Sequence, residues 1–336
     1  MKRISKRINI VLLNFIALFL IVSYSSCGNT KTYNTAVDEI VRIDFNEDSA
    51  YYFCQLQCDF GPRCINTPEH DECGKWIAGK FRAYGLEVTL QEAELTAFDG
   101  SKLRATNIIA SHNPEEKNRI IICAHWDTRP WADGDFNEEN WHTPIIGAND
   151  GASGVGVMLE LARIINEKDS LDLGVDFICF DAEDYGTPNW SDIDDDGNSW
   201  ALGSKYWAEN PHKPGYDAKF GILLDMVGGV GANFYQEVMS KHYAKNIVEK
   251  VWKAARTAGY SGVFSEYEGA TITDDHIPLN EIAQIPTIDI IPYYPDNYVS
   301  SFGPTWHTLD DNMDNIDKNT LKAVGQTMLQ VIYSLK

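Results

Sequence analysis

Five short apolar runs constrain this chain more than any other feature: Leu103 to Ala110, Ile120 to Ala124, Val175 to Phe180, Phe220 to Met226 and Ile285 to Ile291. Each has the length of a strand, and several are rich in β-branched residues. Helical segments fall around them. Residues 68–84 open with Pro68 and stop before Gly85, and 150–166 sets Val155, Met158, Leu159, Ala162 and Ile165 at helical spacing. Residues 241–258 and 317–335 also read as helices. Apolar strands alternating with helices predict an α/β fold, a single-domain three-layer sandwich whose mostly parallel, twisted sheet is covered by helices on both faces. Ligands of such a sheet bind beyond the carboxyl ends of its strands.

Those ends are chemically unusual. Val175 to Phe180 stops in Asp181-Ala182-Glu183-Asp184, which sets adjacent carboxylates at the end of a strand expected to be buried. Charge there is costly unless a metal or a proton in transit compensates it. Ile120 to Ala124 runs into His125-Trp126-Asp127, Phe220 to Leu224 into Asp225, and Ile285 to Ile291 leads toward Trp306-His307. Asp150 precedes the helix of 150–166, and Asp274-Asp275 precede His276-Ile277-Pro278. An Asp before a helix is ordinarily a cap. His, Asp and Glu gathered from separate strand ends are what a zinc site with an open position requires.

The formal net charge is −21 over 336 residues, and residues 1–26 hold four basic residues and no acid. So acidic a chain argues against nucleic acid as a partner and favours solubility and cationic ligands, a peptide's amino terminus among them. Lys2, Arg3, Lys6 and Arg7 precede the apolar stretch Ile8 to Val22 and then Ser25-Ser26-Cys27, the order of a secretory signal. With Cys27 after two serines, residues 1–26 resemble a bacterial lipoprotein signal, which implies lipidation at Cys27. The expectation is an exported protein lipid-anchored in the bacterial cell envelope, with a tether over 27–40 and one domain over 41–336. A monomer is expected.

Cys54, Cys58, Cys64 and Cys73 cluster within twenty residues. In an exported chain such a group suggests disulfides; a structural zinc knuckle is the rival, but the paired C-x-x-C spacing is absent. Cys123 and Cys179 sit inside apolar runs and read as buried thiols. The segment Asp192-Ile193-Asp194-Asp195-Asp196-Gly197-Asn198 is either a solvated acidic loop or, through Asp192, Asp194 and Asp196, half of a calcium site. The acid expected at its twelfth position is missing, since Gly203 stands there.

At the strand ends the chain resembles the glutaminyl-peptide cyclotransferases and, more loosely, the zinc aminopeptidases of the bacterial leucyl aminopeptidase type. The resemblance runs from about Phe60 to the end. It is carried by Cys123-Ala124-His125-Trp126-Asp127, Gly147-Ala148-Asn149-Asp150, Phe180-Asp181-Ala182-Glu183-Asp184, Leu223-Leu224-Asp225, Asp274-Asp275-His276-Ile277-Pro278 and Trp306-His307-Thr308-Leu309-Asp310-Asp311. It implies a zinc-exopeptidase-like fold, one zinc held by Asp150, Asp184 and His307, a proton carrier in Glu183, supporting acids in Asp225 and Asp275, and a pocket lined by Trp306. Human-type cyclases have Glu where this chain has Asp184; either carboxylate ligates zinc. Trp190 and Trp200 flank the acidic loop, and Trp190 is assigned to the substrate pocket.

The implied activity is an acyltransferase reaction, in which a peptide's amino-terminal glutamine closes to pyroglutamate and releases ammonia. Zinc would serve as Lewis acid, and no external water need attack. The alternative is a zinc aminopeptidase of the same frame, with His125 and Asp225 on a second metal that Asp150 bridges. A non-catalytic peptide-binding lipoprotein is the third reading, although such a protein would be expected to lack Glu183 or a ligand.

Overall fold

The computed structural model describes residues 39–168, 171–193 and 198–335. The signal segment, Cys27, most of the tether, and Asp194 and Asp196 lie outside these residues. Among the described residues no helix is long and apolar enough to cross a membrane.

Among the described residues eight strands follow in chain order: β1 Glu87–Thr96, β2 Lys102–His112, β3 Arg119–His125, β4 Gly174–Phe180, β5 Gly221–Leu224, β6 Phe234–Gln236, β7 Phe264–Glu268 and β8 Thr287–Ile290. Six of them form one sheet in the order β1-β2-β4-β3-β5-β8, and β6 and β7 pair separately. β4, β3, β5 and β8 are mutually parallel, whereas β1 and β2 extend the sheet antiparallel. The helices are α1 Glu47–Cys58, α2 Pro68–Ala83, α3 Ala152–Lys168, α4 Leu202–Glu209, α5 Val238–Ala258, α6 His276–Glu281 and α7 Lys318–Tyr333.

The period of two along a strand divides the core. Ile120, Ile122 and Ala124 of β3, with Val175, Phe177 and Cys179 of β4, point into the larger core, under α1, α2, α3, α5 and α7. Ile121, Cys123, Ile178, Phe180 and Leu223 point the other way, toward Trp207 of α4 and Leu279 of α6. Both faces are therefore covered, and every residue of β3, β4, β5 and β8 is buried. That is why these strands read as largely apolar runs, with Asp176 and Asp289 as buried exceptions.

Local chemistry sets the helix ends. Thr67 caps α2 by accepting from the His70 N–H, with Pro68 at the first turn, and Asp317 caps α7 through the Asn319 N–H. α5 stops at Gly259, whose φ of 93° is left-handed. Gly154 lets α3 approach the sheet: a Cβ there would lie 2.2 Å from the Leu224 carbonyl oxygen.

The disulfides expected among Cys54, Cys58, Cys64 and Cys73 are absent; all four are free and buried, as are Cys123 and Cys179. Cys54 and Cys58 lie one turn apart on α1 and serve as small apolar residues of the core, while the Cys64 thiol turns to the Thr128 hydroxyl at 3.8 Å. Burial pushes the Cys58 and Cys64 thiols up to about 11, so neither is a ready thiolate. Alkylation of the unfolded, unreduced protein is expected to label all six thiols by mass; labelling of only two would restore two bridges within the cluster.

Candidate active site

Because β3, β4, β5 and β8 are parallel, their carboxyl ends share one rim, and the loops leaving it bring the charged residues together. The turn after β4 is the most constrained. Asp181 is fully buried and accepts hydrogen bonds from the Thr106 N–H (2.6 Å), the Ala182 N–H (2.8 Å) and His70 Nε2 (2.9 Å). Asp127, just beyond β3, accepts the Glu183 and Asp184 N–H groups on its two oxygens, each at 3.2 Å. Between these anchors Ala182 is forced to a φ of 54°. Met226, next to Asp225, and His307 itself also have left-handed backbones. Each such residue costs about 1–3 kcal/mol, the kind of strain that gathers where side chains must be aimed.

Asp150, Asp184 and His307 converge, with one donor atom from each lying within 4.8 Å of the others. His307 Nε2 is 3.2 Å from Asp184 Oδ1 and 3.8 Å from Asp150 Oδ2. Asp184 Oδ2 is buried with no hydrogen-bond partner. The outer contacts complete the pattern. Asp133 Oδ1 stands 3.3 Å from His307 Nδ1 while Arg129 grips the same carboxylate in a two-pronged pair, and Asp311 accepts the Asn149 and Asp150 N–H groups. An imidazole oriented by a carboxylate, two further carboxylates and an orphaned buried oxygen fit a zinc ion.

A second donor group shares Asp150. His125 Nε2 lies 2.9 Å from Asp150 Oδ1 and 3.2 Å from Asp225 Oδ1, and its Nδ1 faces Asp127 at 3.6 Å.

A cavity of about 310 Å³ opens over these groups. Glu183, Asp184, Asp225 and Asp274 form its acidic side; Met226, Ile272, Ile291, Phe302, Trp200 and Trp306 form the apolar one. Trp306 stacks on His307 at 3.6 Å, and Trp200 lies parallel to the same ring at 6.0 Å. Burial, with Asp274, Asp184 and Asp275 nearby, holds the Glu183 carboxyl well above the usual carboxylate range despite His125. Burial likewise pushes Asp225 up to about 7 against the hydrogen bond from His125. Asp150 moves the other way: burial raises it, but His125 and His307 more than offset that. A cation at either donor group would draw protons off these acids.

The rim unites Asp150, Glu183, Asp184, Asp225, Trp306, His307 and His125. Three expected residues do not line the cavity: His125, which reaches it through Asp150 and Asp225, and then Asp275 and Trp190. Asp274 lines it, whereas Asp275 is wholly buried beside Ser204. Trp200 lines it, whereas Trp190 packs against Trp141 and Trp131. For Asp275 and Trp190 the neighbouring residue of the same type was equally good on sequence. Asp127, Asp133 and Asp311 were not assigned roles; the spacing of Asp127 two residues after His125 was the available signal for the first.

Residues 107–332 match the family model described as Peptidase family M28, and the chain belongs to that family. A solved structure of Bacteroides thetaiotaomicron glutaminyl cyclase bound to N-acetylhistamine superposes with a TM-score of 0.85 at 57% identity, covering 87% of this chain and 98% of that one. A leucine aminopeptidase precursor from the same organism gives 0.84 at 56%, covering 88% and 99%. Glutaminyl-peptide cyclotransferase of Bos taurus is 29% identical over 253 residues, which are 67% of this chain and 64% of that protein. The chain thus spans less than two thirds of that curated relative. Enzymes of family M28 are zinc-dependent, and the donor groups described above suit that chemistry.

Proposed function

We infer that the chain is a zinc-dependent glutaminyl-peptide cyclotransferase, converting the amino-terminal glutamine of a peptide to pyroglutamate. One observation carries the reading: Glu183 and the Asp150–Asp184–His307 group, with Asp225 and Asp274, open into one small cavity faced on its other side by an apolar and aromatic wall. Its volume of about 310 Å³ suits a single terminal residue and its amino group. The likeness to the Bacteroides thetaiotaomicron cyclase supports it.

The reaction balances with one proton carrier. The α-amine nitrogen bonds to the γ-carboxamide carbon, the carbon–NH2 bond breaks, and the proton lost by the amine is the one that turns the departing NH2 into ammonia. Glu183 takes that proton from the amine and returns it to the amide nitrogen. Asp274 and Asp225 hold their carboxyls against the same space, and burial raises all three acids, so a proton can be shared among them. Asp150, Asp184 and His307 would hold zinc, which when bound would supply a Lewis acid for a carbonyl. Ile272, Ile291, Phe302 and Trp306 keep water from the reacting carbon, which favours ring closure over hydrolysis.

A zinc aminopeptidase is the second reading, favoured by the intact His125–Asp150–Asp225 group and by the likeness to the leucine aminopeptidase precursor. Incubation with Gln-Xaa and Leu-Xaa peptides, with products weighed by mass spectrometry, separates the two. Loss of ammonia from the Gln peptide with the chain intact is expected; release of a free amino acid from either would establish the peptidase.

A further inference from the structure

A second hollow, of about 560 Å³, lies beside the cavity and takes no part in the chemistry just described. Tyr235, Tyr293, Tyr294, Tyr298 and Phe136 line it, with Asn233 among its polar groups. Four tyrosines and a phenylalanine in one concave surface are more than solvation requires, and Tyr298 and Phe136 are 93% and 75% exposed.

The hollow is continuous with the reaction cavity through one segment of chain. Residues 293–299 and Pro304 wall the hollow, while Phe302, Trp306 and His307 of the same segment wall the cavity. A small hollow lined by Tyr235, Tyr293, Ile272 and Phe302 shares residues with both. Phe136 belongs to a loop fastened to the same place, where the Gly134 N–H donates to the His307 carbonyl at 2.9 Å. The surface is also built in advance. The Tyr293 N–H donates to the Asn233 carbonyl and the Tyr294 N–H to that of Ser301, Tyr235 meets Tyr293 edge-on at 5.2 Å, and Gly303, at a φ of 114°, leaves room for the Tyr294 ring.

Resting on the cyclotransferase reading, we propose that this hollow receives the residues that follow the amino-terminal glutamine, and that it selects peptides with an aromatic side chain at the third or fourth position. The glutamine, once its amine and carboxamide occupy the cavity, directs its own carbonyl outward, and a volume of about 560 Å³ is that of a cleft for a ligand of several residues. Rings on the peptide pack between the fixed Tyr235, Tyr293 and Tyr294 and the exposed Phe136 and Tyr298, and Asp296 in the lining disfavours acidic residues there.

The test compares kcat/KM for a Gln-Ala dipeptide amide with that for Gln-Ala pentapeptides bearing Phe or Asp at positions three and four. It is made on the full chain and on the variant Phe136→Ser with Tyr298→Ser, both exposed positions. The Phe peptide is expected to exceed the dipeptide roughly five-fold, through KM, with the Asp peptide below it, and the ratio is expected to fall to about one in the variant. Equal values for all three peptides, or a preference unchanged in the variant, would overturn the proposal. Calorimetric binding of the same pentapeptides reports on the hollow whichever reaction the cavity performs: tighter Phe-peptide binding lost in the variant sustains the proposal, and equal affinity refutes it. A protein that binds the Phe peptide selectively but releases no ammonia would disprove the cyclotransferase reading alone.

Discussion

Replacement of Glu183 by glutamine is expected to lower the rate of ammonia release from a Gln peptide by about 10²–10⁴-fold, the usual contribution of a positioned acid–base group. The side chains are nearly equal in volume, and Asp127 grips the Glu183 backbone rather than its carboxyl, so the turn keeps its shape. Glu183 is also outside the Asp150–Asp184–His307 donor group, so bound zinc, measured by atomic emission, is expected to stay at the wild-type level. The amide can neither accept the amine proton nor return it. Substrate binding should change little, so the loss falls in kcat rather than KM. A variant that releases ammonia at near the native rate would remove Glu183 from proton transfer and leave Asp274 and Asp225 as the acids that face the cavity.

How far the sequence reaches into this site depends on what each residue is held by. Glu183, Asp184 and Asp225 were legible because β4 and β5 are buried strands that end just before them, although Asp181, the first acid after β4, turns inward to His70 instead. β1 was not legible: it is an edge strand, mostly exposed or half-buried, and Glu87, Glu92 and Glu94 interrupt its apolar pattern. α1 was hidden for a different reason, since its Cys54 and Cys58 suggested bridges instead of a packed face. The choice between Asp274 and Asp275 turns on the backbone at the entry to α6, which sets Asp274 against the cavity and Asp275 wholly inside; the sequence Asp-Asp carries no mark of which is which. Trp190 and Trp200 pose the same problem around an irregular loop. His307 was found only through the residues around it, because its position depends on a left-handed backbone and on Asp133, far away in sequence.

Loss of zinc is expected to abolish turnover and to lower stability, and the number of equivalents that restore both separates the two readings of the rim. Asp150, Asp184 and His307 are each almost wholly buried, and Asp184 Oδ2 has no hydrogen-bond partner. Without a cation, Asp150 and Asp184 face each other as like charges, which is why burial and Asp150 together raise the Asp184 carboxyl. A buried oxygen left unpartnered costs about 1–3 kcal/mol. Chelation should therefore lower the melting temperature as well as the activity, and the ligand substitution His307→Ala should do both permanently. Arg129 and Asp133, paired at 2.6 Å, remain to hold the loop, so the fold itself should survive by circular dichroism. Titration of the stripped protein with zinc is expected to recover full activity and melting temperature at one equivalent. His125 Nε2 already lies 2.9 Å from Asp150 Oδ1 and 3.2 Å from Asp225 Oδ1, and both carboxylates turn to that one nitrogen. A second ion would have to displace those contacts. Activity that rises only as the second equivalent binds would mean that it does so, and would move the assignment to the aminopeptidase.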